Sequence, residues 1–188
     1  MHDLRGIFGG VSSGLRRSKG GAQEYYGITP DLPTLAKILA GGYPGAALAG
    51  RADVLSMLDY HHDGNDIQLP RVLHQGTYNA GPVSAAAGIA TLKQVRDTDA
   101  VDRASRTAAL IRDGMNAAIR RCGLRWCVYG LFSDFHLYCG DSSPEDIYSG
   151  RVPWQNLKGG ASAALIHKIR TGFLLHGVDI VGWPGGVV

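Results

Sequence analysis

The sequence predicts an α/β chain whose C-terminal part turns α+β. Two long stretches, 98–122 and 161–176, space their apolar residues by three and four, the period of an amphipathic helix. Short apolar runs bounded by Gly and Pro, such as 46–49, read as strands. Long helices followed by short strands pack as two layers over a shared core.

Residues 9–33 are rich in Gly, Ser and charge and predict loop with little regular structure. The apolar stretch 34–39 ends in Ala40-Gly41-Gly42-Tyr43-Pro44-Gly45, a strong turn signal. Residues 46–49 predict a small strand and 52–58 a short helix. The polar segment 59–79 is a long loop, and such loops are functional or disordered. Ala-rich 81–95 predicts a buried helix, its small side chains suited to close packing. Over 98–122 apolar residues fall at Val101, Ala104, Ala108, Ile111, Met115, Ala118, Ile119 and Cys122, at steps of three and four. Thr98 or Asp99 can cap this helix and Gly123 can end it. Residues 124–129 and 132–139 predict two strands, separated by Gly130-Leu131, and 140–160 a loop. The helix over 161–176 places Leu165, Ile169 and Phe173 on one face and stops at Gly177. Residues 178–181 begin a last strand. The chain stops on Gly185-Gly186-Val187-Val188, an apolar end that reads as cut rather than finished.

Composition narrows the function classes. The 188 residues include 27 Gly, about double ordinary usage, without a collagen-like period. That surplus belongs in turns and places where backbone approaches something closely. The length allows one domain or two small ones with a real core. A net charge of +3 is too mild to argue for nucleic acid. The basic cluster Arg16, Arg17 and Lys19 reads as a solvated loop, with a nucleic-acid arm as the alternative. No apolar run is long enough to span a membrane, and no signal region follows Met1. Cys122, Cys127 and Cys139 fit no zinc spacing and point to a reducing, cytoplasmic setting. His61, His62, Asp63 and His74 match no closed metal site and are explained by a polar loop, so no metal is expected. Ser12-Ser13-Gly14 is not a phosphate-binding P-loop, and no dinucleotide fingerprint opens a helix.

Two places could carry chemistry. Lys37 lies among Leu35, Ala36, Ile38 and Leu39, directly before the double-Gly turn. A lysine held in an apolar site loses charge more readily, and a neutral amine can attack a carbonyl to form a Schiff base. The plainer alternative is a lysine at a strand end with its head in water. The second place is His74-Gln75-Gly76-Thr77-Tyr78-Asn79, before the Ala-rich helix. Gly76 lets backbone approach a ligand, Thr77 offers a hydroxyl, and a helix start attracts phosphate. Ordinary N-capping by Thr77 or Asn79 explains the same residues.

Together these segments carry a resemblance. Gly27-Ile28-Thr29-Pro30-Asp31-Leu32-Pro33-Thr34-Leu35-Ala36-Lys37, with Gly41-Gly42-Tyr43-Pro44 and Gly50-Arg51, resembles the lysine segment of class III aminotransferases. The segment from His74 to Pro82 resembles that family's second signature, at the matching distance downstream. Gly20-Gly21-Ala22-Gln23-Glu24-Tyr25-Tyr26-Gly27 is most similar to the glutamate-1-semialdehyde 2,1-aminomutase branch. The resemblance implies a fold type I transferase dependent on pyridoxal 5′-phosphate. Residues 1–95 would be part of the large, mixed or mostly parallel sheet domain. Residues 96–188 would be a linking helix and an incomplete α+β small domain. Lys37 would hold the cofactor as a Schiff base and then move a proton between substrate and cofactor. Gly76 and Thr77 would bind the cofactor phosphate, Thr77 reaching into a neighbouring subunit of a homodimer with shared sites. The substrates would be small amino and keto compounds, with no nucleic acid or membrane partner.

The departures from the family pattern are also specific. Where the family has Asp-Glu-Val-x-Thr-Gly-Phe-Arg, this chain has Gly9-Gly10-Val11-Ser12-Ser13-Gly14-Leu15-Arg16. The aspartate that pairs with the pyridinium nitrogen falls on Gly9, and Asp3 is not expected to substitute. The resemblance also implies a fragment that lacks the family's N-terminal half and its C-terminal end. Such a piece would expose sheet edges and apolar surface and tend to aggregate. The alternative to a working transferase is an inactive remnant, at most a folding or subunit-pairing module.

Overall fold

The computed structural model describes residues 5–59, 72–183 and 186–187. It divides into two compact units, Met1–Val101 and Asp102–Val188.

The first unit is built on a three-stranded mixed sheet of β1 (Ile7–Gly10), β2 (Leu32–Ala36) and β3 (Ala46–Leu48), in that order. β1 and β2 run parallel, with Gly9 opposite Thr34 and Gly10 opposite Leu35. β3 returns antiparallel, Leu35 opposite Ala47. Parallel pairing needs a long crossover between the strands, and here that crossover carries a helix. This is α1 (Gly21–Tyr26). At the amino edge, Asp31 accepts from the Gly6 N–H at 2.7 Å and from Arg51 Nη1 at 3.1 Å, and Arg51 also grips Asp53. α2 (Ala52–Leu55) follows, and a 3-10 turn continues it through Leu58.

α3 (Pro82–Asp97) starts on a proline, whose missing N–H costs nothing in the first turn. It packs on the 3-10 turn Lys37–Ala40 that follows β2. Gly88 is the contact point, because a Cβ there would press on the Leu39 carbonyl oxygen at 2.7 Å. Ser84 Oγ ties the same face to the Pro44 carbonyl at 2.6 Å.

In the second unit the long helix α4 (Ala100–Arg121) lies against a hairpin of β4 (Cys127–Tyr129) and β5 (His136–Tyr138), Val128 opposite Leu137. Leu124 N–H bonds the Ile119 carbonyl, and Gly123 N–H that of Arg120, which closes α4. Ile119, Val128 and Leu137 form the core, with Met115, Trp126, Phe135 and Ile169 packed around it. The Asn116 side chain accepts from Val128 N–H and donates to Val128 C=O, both at 2.8 Å, so it satisfies the free edge of β4. Arg112 donates to the Phe132 and Asp134 carbonyls and shapes the loop between the strands. α5 (Pro144–Tyr148), α6 (Trp154–Gly159) and α7 (Ala163–Leu175) follow, then the short pair β6 (Gly182–Trp183) and β7 (Gly186–Val187). Leu165, Ile169 and Phe173 of α7 are half-buried along one face, as their spacing predicts.

Several expectations need correction. The segment 9–33 is not mostly loop: it contains α1, closed by Glu24 on the Gly20 N–H and by Gly27 in a left-handed turn. The segment 140–160 holds α5 and α6. α5 opens on a reciprocal cap between Ser143 and Asp146. The strand expected over 178–181 forms instead at Gly182–Trp183, because Gly177 and Val178 still serve the α7 terminus. β4 and β5 are each three residues, shorter than the apolar runs containing them. α3 is not a buried helix: only Gly88 and Val95 are buried, while Val83 is 60% and Ile89 56% exposed. One face meets the Lys37–Ala40 turn, and the rest is largely exposed among the described residues. Of the cysteines, Cys127 is buried, Cys139 half-buried and Cys122 exposed. No helix among the described residues is long and apolar enough to cross a membrane.

Candidate functional site

Parallel pairing brings two segments far apart in sequence to one edge. Gly10 and Leu35 are opposite each other near the carboxyl ends of β1 and β2. Two residues further on stand Ser12 and Lys37, and Lys37 Nζ donates to Ser12 Oγ at 2.5 Å. The space beyond the carboxyl ends of parallel strands is where open α/β sheets place ligands. The Ser12 turn is itself fixed: Gly14 N–H bonds the Gly10 carbonyl at 2.9 Å and Arg16 Nε the Ser12 carbonyl at 3.0 Å.

Lys37 has a φ of 53°, in the left-handed region. For a residue with a Cβ this costs about 1–3 kcal/mol, and such strain collects at functional sites. The extended run stops at Ala36 because Lys37 turns the chain into the 3-10 turn. The apolar enclosure suggested by its sequence neighbours is not formed: Lys37 is exposed, and its amine meets the Ser12 hydroxyl at the strand edge.

The Gly76 and Thr77 segment forms a tight turn. Asn79 N–H bonds the Gly76 carbonyl at 3.0 Å, and Asn79 Nδ2 donates to the His74 carbonyl at 3.2 Å. Neither Thr77 nor Asn79 caps α3; Gly81 holds the N-cap position without a side-chain bond. The capping alternative is therefore overturned, because the turn ends before the helix begins. Thr77 is exposed, as is Tyr78 at 72%.

A cleft of about 930 Å³ joins the two segments. Thr34, Leu35 and Leu39 line it from the lysine side, and His74, Tyr78 and Asn79 from the other. That volume lies within the range of small-molecule sites, about 300–1,000 Å³. Lys37, Gly76 and Thr77 are not part of its walls, although their chain neighbours Leu35, Leu39 and Tyr78 are. Ser12 escaped sequence reasoning, since its relation to Lys37 comes only from strand register.

Gly9 carries no side chain, yet a Cβ there would meet nothing within 4 Å. Gly10, next to it, is buried, and a Cβ would overlap the Thr34 carbonyl oxygen. The basic cluster is engaged within its unit: Arg17 lies over the Tyr26 ring and Lys19 Nζ donates to the Arg96 carbonyl at 2.8 Å. His61, His62 and Asp63 lie outside the described residues. Among the described residues no three His, Cys, Asp or Glu side chains form a metal-binding group.

The family model for aminotransferase class III matches residues 2–122. A glutamate-1-semialdehyde 2,1-aminomutase of Methanocaldococcus jannaschii is 38% identical over 140 residues, 74% of this chain and 31% of its own length. The chain thus spans about a third of that curated relative. An omega-transaminase from Sphaerobacter thermophilus superposes with a TM-score of 0.71 at 29% identity, over 97% of this chain and 39% of that one. A transaminase solved with PLP bound gives 0.69 at 28% identity, over 96% and 38%.

Proposed function

The chain belongs to the class III aminotransferase family, and from that premise we propose that it serves amino-group transfer between small amino and keto compounds, with pyridoxal 5′-phosphate held at Lys37. One observation carries the reading: β2 delivers a strained, exposed lysine to the carboxyl edge of a parallel strand pair, beside a cleft shared with the His74–Gly81 segment.

The residues present fit the aldehyde end of that cofactor, because Lys37 offers an accessible primary amine. They do not supply a carboxylate for its ring nitrogen, the usual partner there, since Gly9 stands at that register. When bound, the cofactor supplies the electron sink for a carbanion next to an amino group. Lys37 would hold it through its amine and, once freed, would carry the proton between substrate and cofactor. Gly76 and Thr77 would hold, through backbone and hydroxyl, the phosphate of the cofactor bound in the partner subunit. The exposure of Thr77 and Tyr78 supports a homodimer in which this turn completes the partner's site. Three free thiols support a reducing, cytoplasmic setting. Gly9 favours a second reading, a chain that pairs with a subunit and does not catalyse.

The test is amino transfer itself. The chain is loaded with pyridoxal phosphate, given amino donors, and assayed for keto product. Product formed faster than by free cofactor, and lost in Lys37→Ala, supports transfer. A rate equal to that of free cofactor supports the second reading.

A further inference from the structure

We propose that Ser12 is a positioning residue for Lys37. The inference rests on the reading of Lys37 as the cofactor lysine and adds a residue to that site. An exposed lysine on a left-handed backbone has four side-chain torsions to order before its amine can meet an aldehyde. The acceptor hydroxyl of Ser12 removes much of that freedom by holding Nζ at the strand edge. Its own position is set independently of Lys37. The Gly14–Gly10 and Arg16–Ser12 bonds fix the turn, and the parallel register fixes the turn relative to the lysine. A hydroxyl suits the task because it accepts from an amine without adding a charge that would bind it permanently. Ser12 is exposed, so its replacement does not disturb a core.

Three forms of the chain are compared: wild type, Ser12→Ala and Ser12→Thr. The first readout uses no cofactor. In lysine-¹⁵N-labelled protein, water exchange of the Lys37 Nζ protons should be several-fold faster in Ser12→Ala and return in Ser12→Thr. The second is the yield of Lys37 modified by pyridoxal phosphate and borohydride, mapped by mass spectrometry. It should fall several-fold in Ser12→Ala, return in Ser12→Thr, and leave labelling of Lys19 and Lys158 unchanged. Equal proton exchange in wild type and Ser12→Ala overturns the proposal, as does a threonine variant that behaves like alanine. Wild-type labelling spread evenly over all lysines defeats the cofactor reading instead, and the exchange measurement then decides the Ser12 contact alone.

Discussion

Gly9 lies opposite Thr34 in the parallel β1–β2 ladder, and the space its side chain would occupy is open. Its neighbour Gly10 lies opposite Leu35 and is sealed by the Thr34 carbonyl. Adjacent glycines therefore have opposite tolerance. Gly9→Asp should change unfolding stability by less than about 0.5 kcal/mol, as surface substitutions do. Gly10→Asp should cost at least about 1–3 kcal/mol through overpacking. Denaturant melts of the two variants check this. On the proposed cofactor reading, Gly9→Asp should also retain more pyridoxal phosphate through dialysis than wild type, because the family resemblance puts the carboxylate that pairs with the ring nitrogen at this position.

Asn116 holds α4 to β4 through both polar groups of Val128, a residue 1% exposed. Asn116→Ala leaves a buried N–H and C=O without their partner and should cost about 1–3 kcal/mol. Leu137→Ala, in the core beside Val128, should cost about 2–5 kcal/mol. A cost near zero for Asn116→Ala in chemical denaturation would contradict the role of that pair.

Acid should weaken the second unit in two windows. Burial beside Tyr129 holds the His136 imidazole below its ordinary value of 6.5. The unfolded chain then takes up that proton first, so stability present above pH 6.5 falls as pH drops toward the folded value. The Ser143 N–H, the Ser143 hydroxyl and then Arg151 hold the Asp146 carboxyl below 3.8. Its contribution is present above 3.8 and is lost as pH falls through the lower folded value. Thermal melts across pH should show both limbs, with His136→Gln flattening the first and Asp146→Asn the second.

Much of this was legible in the residues, for identifiable reasons. α4 shows itself because eight apolar positions keep helical spacing and Gly123 follows. α1 does not, because six residues are too few for a period and its closure is a Glu24 side chain reaching back to Gly20. α5 is missed by the loop expectation over 140–160, although Ser143-Pro144-Glu145-Asp146 carries its signal, a capping pattern with Pro at the first helical position. The exposure of α3 could not be read, because small side chains look the same whether or not another surface covers them. At the site, the place of Lys37 before a double-Gly turn was visible. Its contact with Ser12, 25 residues away, depends on the parallel pairing of β1 with β2.

The most direct measurement treats the purified chain with pyridoxal phosphate, reduces with borohydride and maps the modified lysines by mass spectrometry. Selective modification of Lys37, absent in Lys37→Ala, is the expected result. Modification spread over the surface lysines, unchanged by Lys37→Ala, would contradict a cofactor site at the carboxyl edge of β1 and β2.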